Sequence, residues 1–265
     1  MKPEDYIETI PDGLRQLIDL EYMGENRLGW SYSKVYRVKL ADSGLFAYLK
    51  IAEARYESYF YEVNLLGWLM DKLPVPQVLY WERRSGMEYL LMSEIKGSNG
   101  LTNLAGTDPS RLVYCLARGL KMIHSIDIRD CPFDQRLYIK LRNAEYNVDN
   151  GLISRENLRK ERRMVPPRRT LEILRQKAGW EEDLVFTHGD YCLPNIIVNN
   201  GDISGFIDWG RGGIADRYQD ISLAYRTIIG NFGSPRLAEL FFKYYGLGKV
   251  DRGKLEYFIL LDSLF

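Results

Sequence analysis

The stretch Val185-Phe-Thr-His188-Gly-Asp190-Tyr-Cys-Leu-Pro-Asn195-Ile-Ile-Val-Asn-Asn-Gly-Asp-Ile-Ser-Gly-Phe-Ile-Asp208-Trp-Gly210 constrains this chain more than any other. Two short apolar runs, Ile196-Ile197-Val198 and Gly205-Phe206-Ile207, flank Asn199-Asn200-Gly201-Asp202. Asn-Gly between apolar runs predicts a hairpin, because both central residues of its tight turn need a positive φ. A hairpin brings its ends together, so Asn195 is expected near Asp208, with Asp190 one short loop earlier. Three oxygen-bearing side chains converging on one spot suit a Mg²⁺ ion and a phosphoryl acceptor.

The spacing carries the same message. His188-x-Asp190-x-x-x-x-Asn195, followed by Asp208-x-Gly210, matches the kinase arrangement of a catalytic-loop Asp, a metal-binding Asn and a second metal-binding Asp, here in Asp-Trp-Gly. The competing reading makes Asp and Asn simple turn formers. The full constellation is far more specific than any one of its members.

Upstream, Leu14, Leu17, Ile18 and Tyr22 recur at helical spacing and predict a helix over Pro11 to Tyr22, with Asp12 as N-cap. Met23 to Lys34 is rich in Gly and Ser and reads as a loop before the strand Val35 to Val38; such a loop can lay backbone N–H groups over phosphates, although it lacks G-x-G-x-x-G. Phe46 to Ile51 alternates as a strand, with Lys50 among apolar neighbours. Ser58 to Lys72 is predicted helical, with Phe60, Val63, Leu66, Gly67 and Met70 on its stripe and Glu62 near its start. A helix carboxylate facing a strand lysine would form the ion pair that aims the lysine at nucleotide phosphates. Leu73-Pro-Val-Pro76 ends that helix. Val78 to Trp81 and Glu88 to Met92 are strands around Arg84-Ser85-Gly86.

Composition changes at Ser93 to Gly100, and the domain boundary falls there: residues 1–94 are mostly strand with one main helix, residues 95–265 mostly helical. The connecting strand offers backbone N–H and C=O groups to an adenine edge. Downstream, helices are expected over Asp108 to Ile126, Arg142 to Asp149, Leu171 to Lys177, Ile221 to Ile229, Leu237 to Tyr245 and Lys254 to Leu264. Asp108-Pro109 has the form of an N-cap with Pro at the first helical position. His124 reads as structural.

Thirty-six basic and thirty-six acidic residues balance over 265 positions, so no global basic field argues for a nucleic-acid partner and no global acidic field argues for a polycation. The N-terminus lacks a signal-peptide apolar region, and no apolar run reaches membrane-spanning length. Cys115, Cys131 and Cys192 therefore read as free thiols in a reducing cytoplasm, Cys192 as a packing residue rather than a nucleophile.

These stretches, taken in order, resemble the aminoglycoside phosphotransferase family, closest to its 3′-phosphotransferases. The resemblance runs over nearly the full length. It rests on Leu73-Pro-Val-Pro76, Leu90-Leu-Met-Ser-Glu94, His124-Ser-Ile-Asp-Ile128 with Asp130-Cys-Pro132, Thr187-His-Gly-Asp190 to Asn195, Ser204-Gly-Phe-Ile-Asp208-x-Gly-Arg211, Ala215-Asp-Arg-Tyr-Gln-Asp220 and Leu260-Leu-Asp262-Ser-Leu-Phe265. It implies an α+β, protein-kinase-like two-lobed fold, with an N-terminal antiparallel sheet carrying one main helix, a mostly helical C-terminal lobe, and ATP between them. It implies that Lys50 contacts the α/β-phosphates and Glu62 holds it, that Tyr48 stacks on adenine, and that the backbone from Ser93 to Ile95 reads the adenine edge. Ser31 would lie over the phosphates. Asn195 and Asp208 would bind Mg²⁺, and Asp190 would orient or deprotonate the attacking hydroxyl. Arg211, Arg226, Asp262 and Phe265 match positions facing the acceptor. The expected product is a cytoplasmic, ATP-dependent resistance kinase, monomer or homodimer, with GTP as an alternative co-substrate.

The family binds its polycationic substrates with acidic side chains, and here the chain departs from the pattern. Arg155 to Arg169 is a basic run, position 193 is Leu193, Ile229 to Phe232 has no carboxylate, and Ser263 replaces an acid of a relative. Glu156, Glu161 and Asp262 remain as anchors. An acceptor without positive charge (a macrolide, sugar or metabolite) and a non-catalytic nucleotide-binding module stand as alternatives.

Overall fold

A computed structural model describes residues 9–26, 33–102, 108–153 and 165–265. The chain divides into two compact units, Met1–Lys96 with Gly205–Gly210, and Gly97–Ser204 with Arg211–Phe265.

The first unit is built on a five-stranded antiparallel sheet in the order β1-β2-β3-β5-β4, made of β1 (Ile18–Asn26), β2 (Lys34–Leu40), β3 (Phe46–Glu53), β4 (Val78–Arg84) and β5 (Met87–Ser93). Alternation along β2 and β3 sends Tyr36, Val38, Ala47, Leu49 and Ile51 into one core with Leu14, Tyr89 and Leu91. The helix predicted over Pro11 to Tyr22 is a single turn, α1 (Asp12–Arg15), capped at Pro11. The chain then enters β1, where Ile18 pairs with Leu40. Edge pairing with β2 outweighs a short helical pattern, because most helix stability comes from tertiary packing and a short helix is marginal by itself. Met23 to Asn26, expected in a loop, also belong to β1.

The main helix, α2 (Phe60–Leu69), buries Glu62, Leu65, Leu66 and Leu69. Phe60 and Met70, placed on the predicted stripe, are 60% and 54% exposed, and Gly67 is exposed too. The helix is apolar nearly all round, so residue type alone did not fix which face is buried.

The second unit is mostly helical: α3 (Pro109–His124), α4 (Leu137–Asp149), α5 (Pro167–Lys177), α6 (Tyr218–Phe232), α7 (Pro235–Tyr245) and α8 (Arg252–Asp262). Asp108 caps α3 by accepting from Ser110 N, with Pro109 next, as the sequence predicts. Leu112, Leu116, Leu120 and Ile123 of α3 are buried. Two short antiparallel strands, β7 (Leu184–Thr187) and β10 (Gly213–Asp216), pair Thr187 with Gly213. A second small sheet has the order β6-β8-β9, with β6 (Ser98–Asn99), β8 (Ile196–Asn199) and β9 (Asp202–Phe206). The Asn-Gly hairpin forms as expected: Asn200 and Gly201 take φ +51° and +75°. Helix α4 begins five residues earlier than the spacing indicated, at Leu137 rather than Arg142, which brings Lys140 into it.

Candidate active site

In the first unit the chemistry gathers on Lys50. Strand alternation turns its side chain away from Leu49 and Ile51 and toward Glu62 on α2. Lys50 is 9% exposed and Glu62 3%. The Lys50 Nζ donates to both Glu62 oxygens and to Asp208 Oδ1, each at 2.9 Å. Burial pushes the ammonium down, but the Asp208 and Glu62 carboxylates outweigh it and hold Lys50 well above the ordinary lysine value.

The Asp208 corner is locked by its neighbour. The Trp209 side chain is fully buried, its Nε1 donates to Phe206 O at 3.1 Å, and its backbone N donates to Glu62 Oε1 at 3.2 Å. Asp208 itself takes φ +67°. That left-handed conformation is costly for most side chains and tolerated best by Gly, Asn and Asp. Its carboxylate is half exposed. No motif had marked a second group beside Lys50: Tyr59 donates to Ser33 Oγ at 2.6 Å, and Ser33 donates to Glu57. Burial pushes the Glu57 carboxyl up, against the Ser33 hydrogen bond and the charge of Lys50.

Tyr48 sits on β3 between Arg37 and Met92 in register. Burial pushes its phenol up. Arg37 donates from Nε to Glu94 Oε1 at 2.7 Å. Ser93 gives its backbone N–H to Gln77 O at 2.9 Å. Ile95 packs its side chain close to Gly205. Ser31 lies outside the described residues, as do Glu156, Glu161 and the arginines of the basic run up to Arg163.

In the second unit, Asp190 and Asn195 form one group. Asn195 Nδ2 donates to Asp190 O at 2.8 Å and to Asp190 Oδ2 at 3.1 Å. Cys192 Sγ lies 3.9 Å from Asp190 Oδ1. The loop is held from beneath by Asp220, a fully buried carboxylate on α6. It accepts from His188 N at 2.7 Å and Gly189 N at 2.8 Å, and it contacts His124 Nε2 at 3.2 Å. His124 Nδ1 lies 2.7 Å from the Tyr245 hydroxyl. His124 is thus a strut of the loop, a structural role as the sequence suggested. Burial pushes the Asp220 carboxyl up, and its hydrogen bonds and neighbouring imidazoles reverse the sign and hold it below the ordinary range. Gly189 has φ +84°, and a Cβ there would stand 1.9 Å from the Arg211 carbonyl oxygen. Only glycine fits that contact.

A further cluster stands on Asp262, which is 8% exposed. It receives Arg211 Nη2 on one oxygen and Arg226 Nη2, at 2.7 Å, on the other. Arg211 also lies over the Phe265 ring, 4.8 Å from its centroid. Burial pushes the Asp262 carboxyl up, but Arg211 and Arg226 hold it down to about 2. The structure thus brings Arg211, Arg226, Asp262 and Phe265 together. Arg168 and Arg169, at the end of the basic run, pair with Asp149 and, at 2.8 Å, with Glu172.

Among the described residues, no group of three or more His, Cys, Asp or Glu gathers as a metal site. Mg²⁺ does not require one, since it takes hard oxygen donors and keeps several waters. The Asn195 amide oxygen and the Asp208 carboxylate are donors of that kind. Among the described residues no helix is long and apolar enough to cross a membrane.

A buried strand lysine clamped by a helix glutamate, with an Asp-bearing corner after a β-hairpin, places the chain among kinase-like phosphotransferases of α+β architecture. The comparisons with known proteins are more specific. Residues 25–258 match the phosphotransferase enzyme family, and the chain belongs to it. It is 40% identical to an aminoglycoside 3′-phosphotransferase of Niallia circulans, over 96% of this chain and 97% of that one. With an enzyme of the same name from Enterococcus faecalis it shares 37% identity, covering 95% and 97%. Among solved structures, an aminoglycoside 3′-phosphotransferase of type VIII superposes with a TM-score of 0.82 at 25% identity, covering 99% and 98%. A Streptomyces rimosus aminoglycoside phosphotransferase, solved with ADP and streptomycin, superposes at 0.74 with 27% identity, covering 91% and 92%.

Proposed function

We infer that this protein transfers the γ-phosphoryl group of ATP to a hydroxyl of an aminoglycoside antibiotic, at the 3′ position, and so confers resistance in the cytoplasm. The observation that carries the reading is the Lys50–Glu62–Asp208 clamp in a chain whose relatives over nearly its whole length are named aminoglycoside 3′-phosphotransferases.

The roles follow from charge and position. Lys50, cationic throughout the neutral range, takes the α- and β-phosphate oxygens, and Glu62 fixes its reach. Tyr48 supplies a face for adenine. The adenine edge is read by the backbone from Ser93 to Ile95, at Ser93 through its C=O, since its N–H goes to Gln77 O. Asn195 and Asp208 would hold Mg²⁺, which when bound supplies charge neutralisation at the phosphates. Asp190 accepts the hydroxyl proton or orients the hydroxyl. The hold of Asn195 on its carboxylate, and of Asp220 on the backbone beneath it, keeps it preorganised. Arg211, Arg226, Asp262 and Phe265 form the acceptor end. With Arg168 and Arg169 paired to carboxylates, those two cations of the basic run count less against a cationic acceptor.

An ATP-consumption screen across kanamycin, neomycin, a macrolide, simple sugars and a 3′-deoxygenated aminoglycoside tests this directly. Turnover with the 3′-hydroxylated aminoglycosides is expected, and none with the 3′-deoxy compound. Turnover of the macrolide or sugars alone would replace the acceptor, and no turnover of any acceptor would leave a nucleotide-binding module.

A further inference from the structure

Lys140 has no part in the chemistry described so far. It projects from α4 on the buried face shared with Leu137 and Ala144 and is only 2% exposed. Its Nζ donates to the backbone oxygen of Arg211 at 3.2 Å and lies 5.7 Å from the Phe265 ring centroid. That same Arg211 oxygen is the atom that leaves no room for a Cβ at Gly189. The Arg211 carbonyl is therefore held between the Lys140 ammonium and the backbone next to Asp190. The Arg211 side chain, from the same residue, reaches Asp262.

The charges around Lys140 come from four places in the fold: Asp190 on its loop, Arg211 before β10, Asp220 on α6 and Asp262 on α8. With Arg226 on the far oxygen of Asp262, three carboxylates stand against the two arginines and Lys140. Burial and the Arg211 charge push Lys140 down to about 7, against the three carboxylates. The charge balance of the acceptor end thus turns on one lysine.

We propose that Lys140 is the positioning residue of the acceptor end: its buried ammonium pins the Arg211 peptide against Gly189 and so joins the Asp190 loop to the Arg211–Asp262 pair. This rests on the phosphotransfer reading above. A protonated lysine makes the stronger, charge-assisted bond to the Arg211 carbonyl. When the proton leaves, that bond weakens and a cationic acceptor meets one like charge fewer. Turnover and acceptor KM therefore both fall as pH rises through the Lys140 ionisation.

Lys140→Met and Lys140→Arg test this. K140M should lower kcat about tenfold, the scale of one charge-assisted hydrogen bond, with KM for ATP unchanged and KM for kanamycin reduced. K140R, which keeps donor and charge, should restore kcat but lose the pH step near neutrality. The antibiotic's own titration is common to both proteins and cancels in the comparison. Wild-type kcat, KM and pH profile in K140M, or an unaltered pH step in K140R, would overturn the proposal. Lysine-labelled NMR gives a readout that needs no turnover. One lysine should titrate near pH 7, the Gly189 amide should shift with the same midpoint, and both changes should vanish in K140R. A Gly189 amide indifferent to that titration would refute the positioning role even if no acceptor is turned over, whereas absent turnover alone would refute only the assigned acceptor.

Discussion

Lys50 and Lys140 are both buried, at 9% and 2% exposure, and their ionisations move in opposite directions. Burial opposes the charge in each. Lys50 touches two carboxylates at 2.9 Å, and they win. Lys140 touches a carbonyl oxygen and faces Arg211, and three acids farther off do not restore it. Direct carboxylate contact, rather than depth, decides whether a buried lysine is a permanent cation or a titrating one. The first suits a site that must always meet phosphate; the second makes the acceptor end sensitive to pH.

The harshest test removes one of the acids facing Lys140. Asp190→Ala should cut kcat by roughly 10³-fold, within the range for a general base that also positions its substrate, and leave ATP binding in a calorimeter unchanged. Loss of ATP affinity would show that Asp190 serves the nucleotide instead. The same variant should push the Lys140 ionisation still lower, since the Asp190 charge raises it.

Glu62→Gln attacks the other member of the comparison. Lys50 would keep its contact with the Asp208 carboxylate, and an amide oxygen would still accept from Trp209 N. The expected loss is roughly 10- to 100-fold in kcat/KM for ATP, the worth of one charge-assisted contact. Steady-state kinetics showing normal kcat/KM would mean that Asp208 suffices to aim the lysine.

Much of the chemistry around Lys50 and the hairpin was legible because it is local. Lys50 falls within an alternating strand, Glu62 near the start of the next helix, and Asn200-Gly201 between apolar runs, and each pattern is a few residues long. The parts that sequence did not reveal depend on distant partners. Asp220 serves the His188 and Gly189 amides from 32 and 31 residues away. Lys140 is defined by the Arg211 carbonyl, 71 residues on. A signal for Lys140 existed: had α4 been extended to Leu137, a lysine would have stood on its apolar face with Leu137 and Ala144. The helix expected at Pro11 to Tyr22 failed for the same reason in reverse, since β2 decides the state of that segment from outside it.

Asp208→Asn should have a smaller effect than the loss of Glu62. It keeps an oxygen for Mg²⁺ and for Lys50 but removes one anionic charge, so Mg-ATP affinity should fall about tenfold, with free-nucleotide affinity little changed. Titration with and without Mg²⁺ separates the two. The Asp208 backbone, at φ +67°, accepts Asn without added strain.

The mildest test is acid and alkaline unfolding, where the ion pairs differ in sign. Lys50 is raised, so its contribution is fully present below the unfolded lysine value and is lost only as pH climbs through the higher folded one. Lys140 is lowered from 10.5 to about 7, so the native state binds fewer protons and stability rises with pH between those values. Asp262 is lowered from 3.8 to about 2, so its contribution is present above 3.8 and fades as pH falls to 2. That last shift corresponds to about 2 kcal/mol. Urea unfolding of Asp262→Asn at pH 7 and pH 2 isolates it: the variant should be less stable than wild type at pH 7 and nearly equal to it at pH 2. An equal deficit at both pH values would mean that Arg211 and Arg226 hold Asp262 by packing rather than by charge.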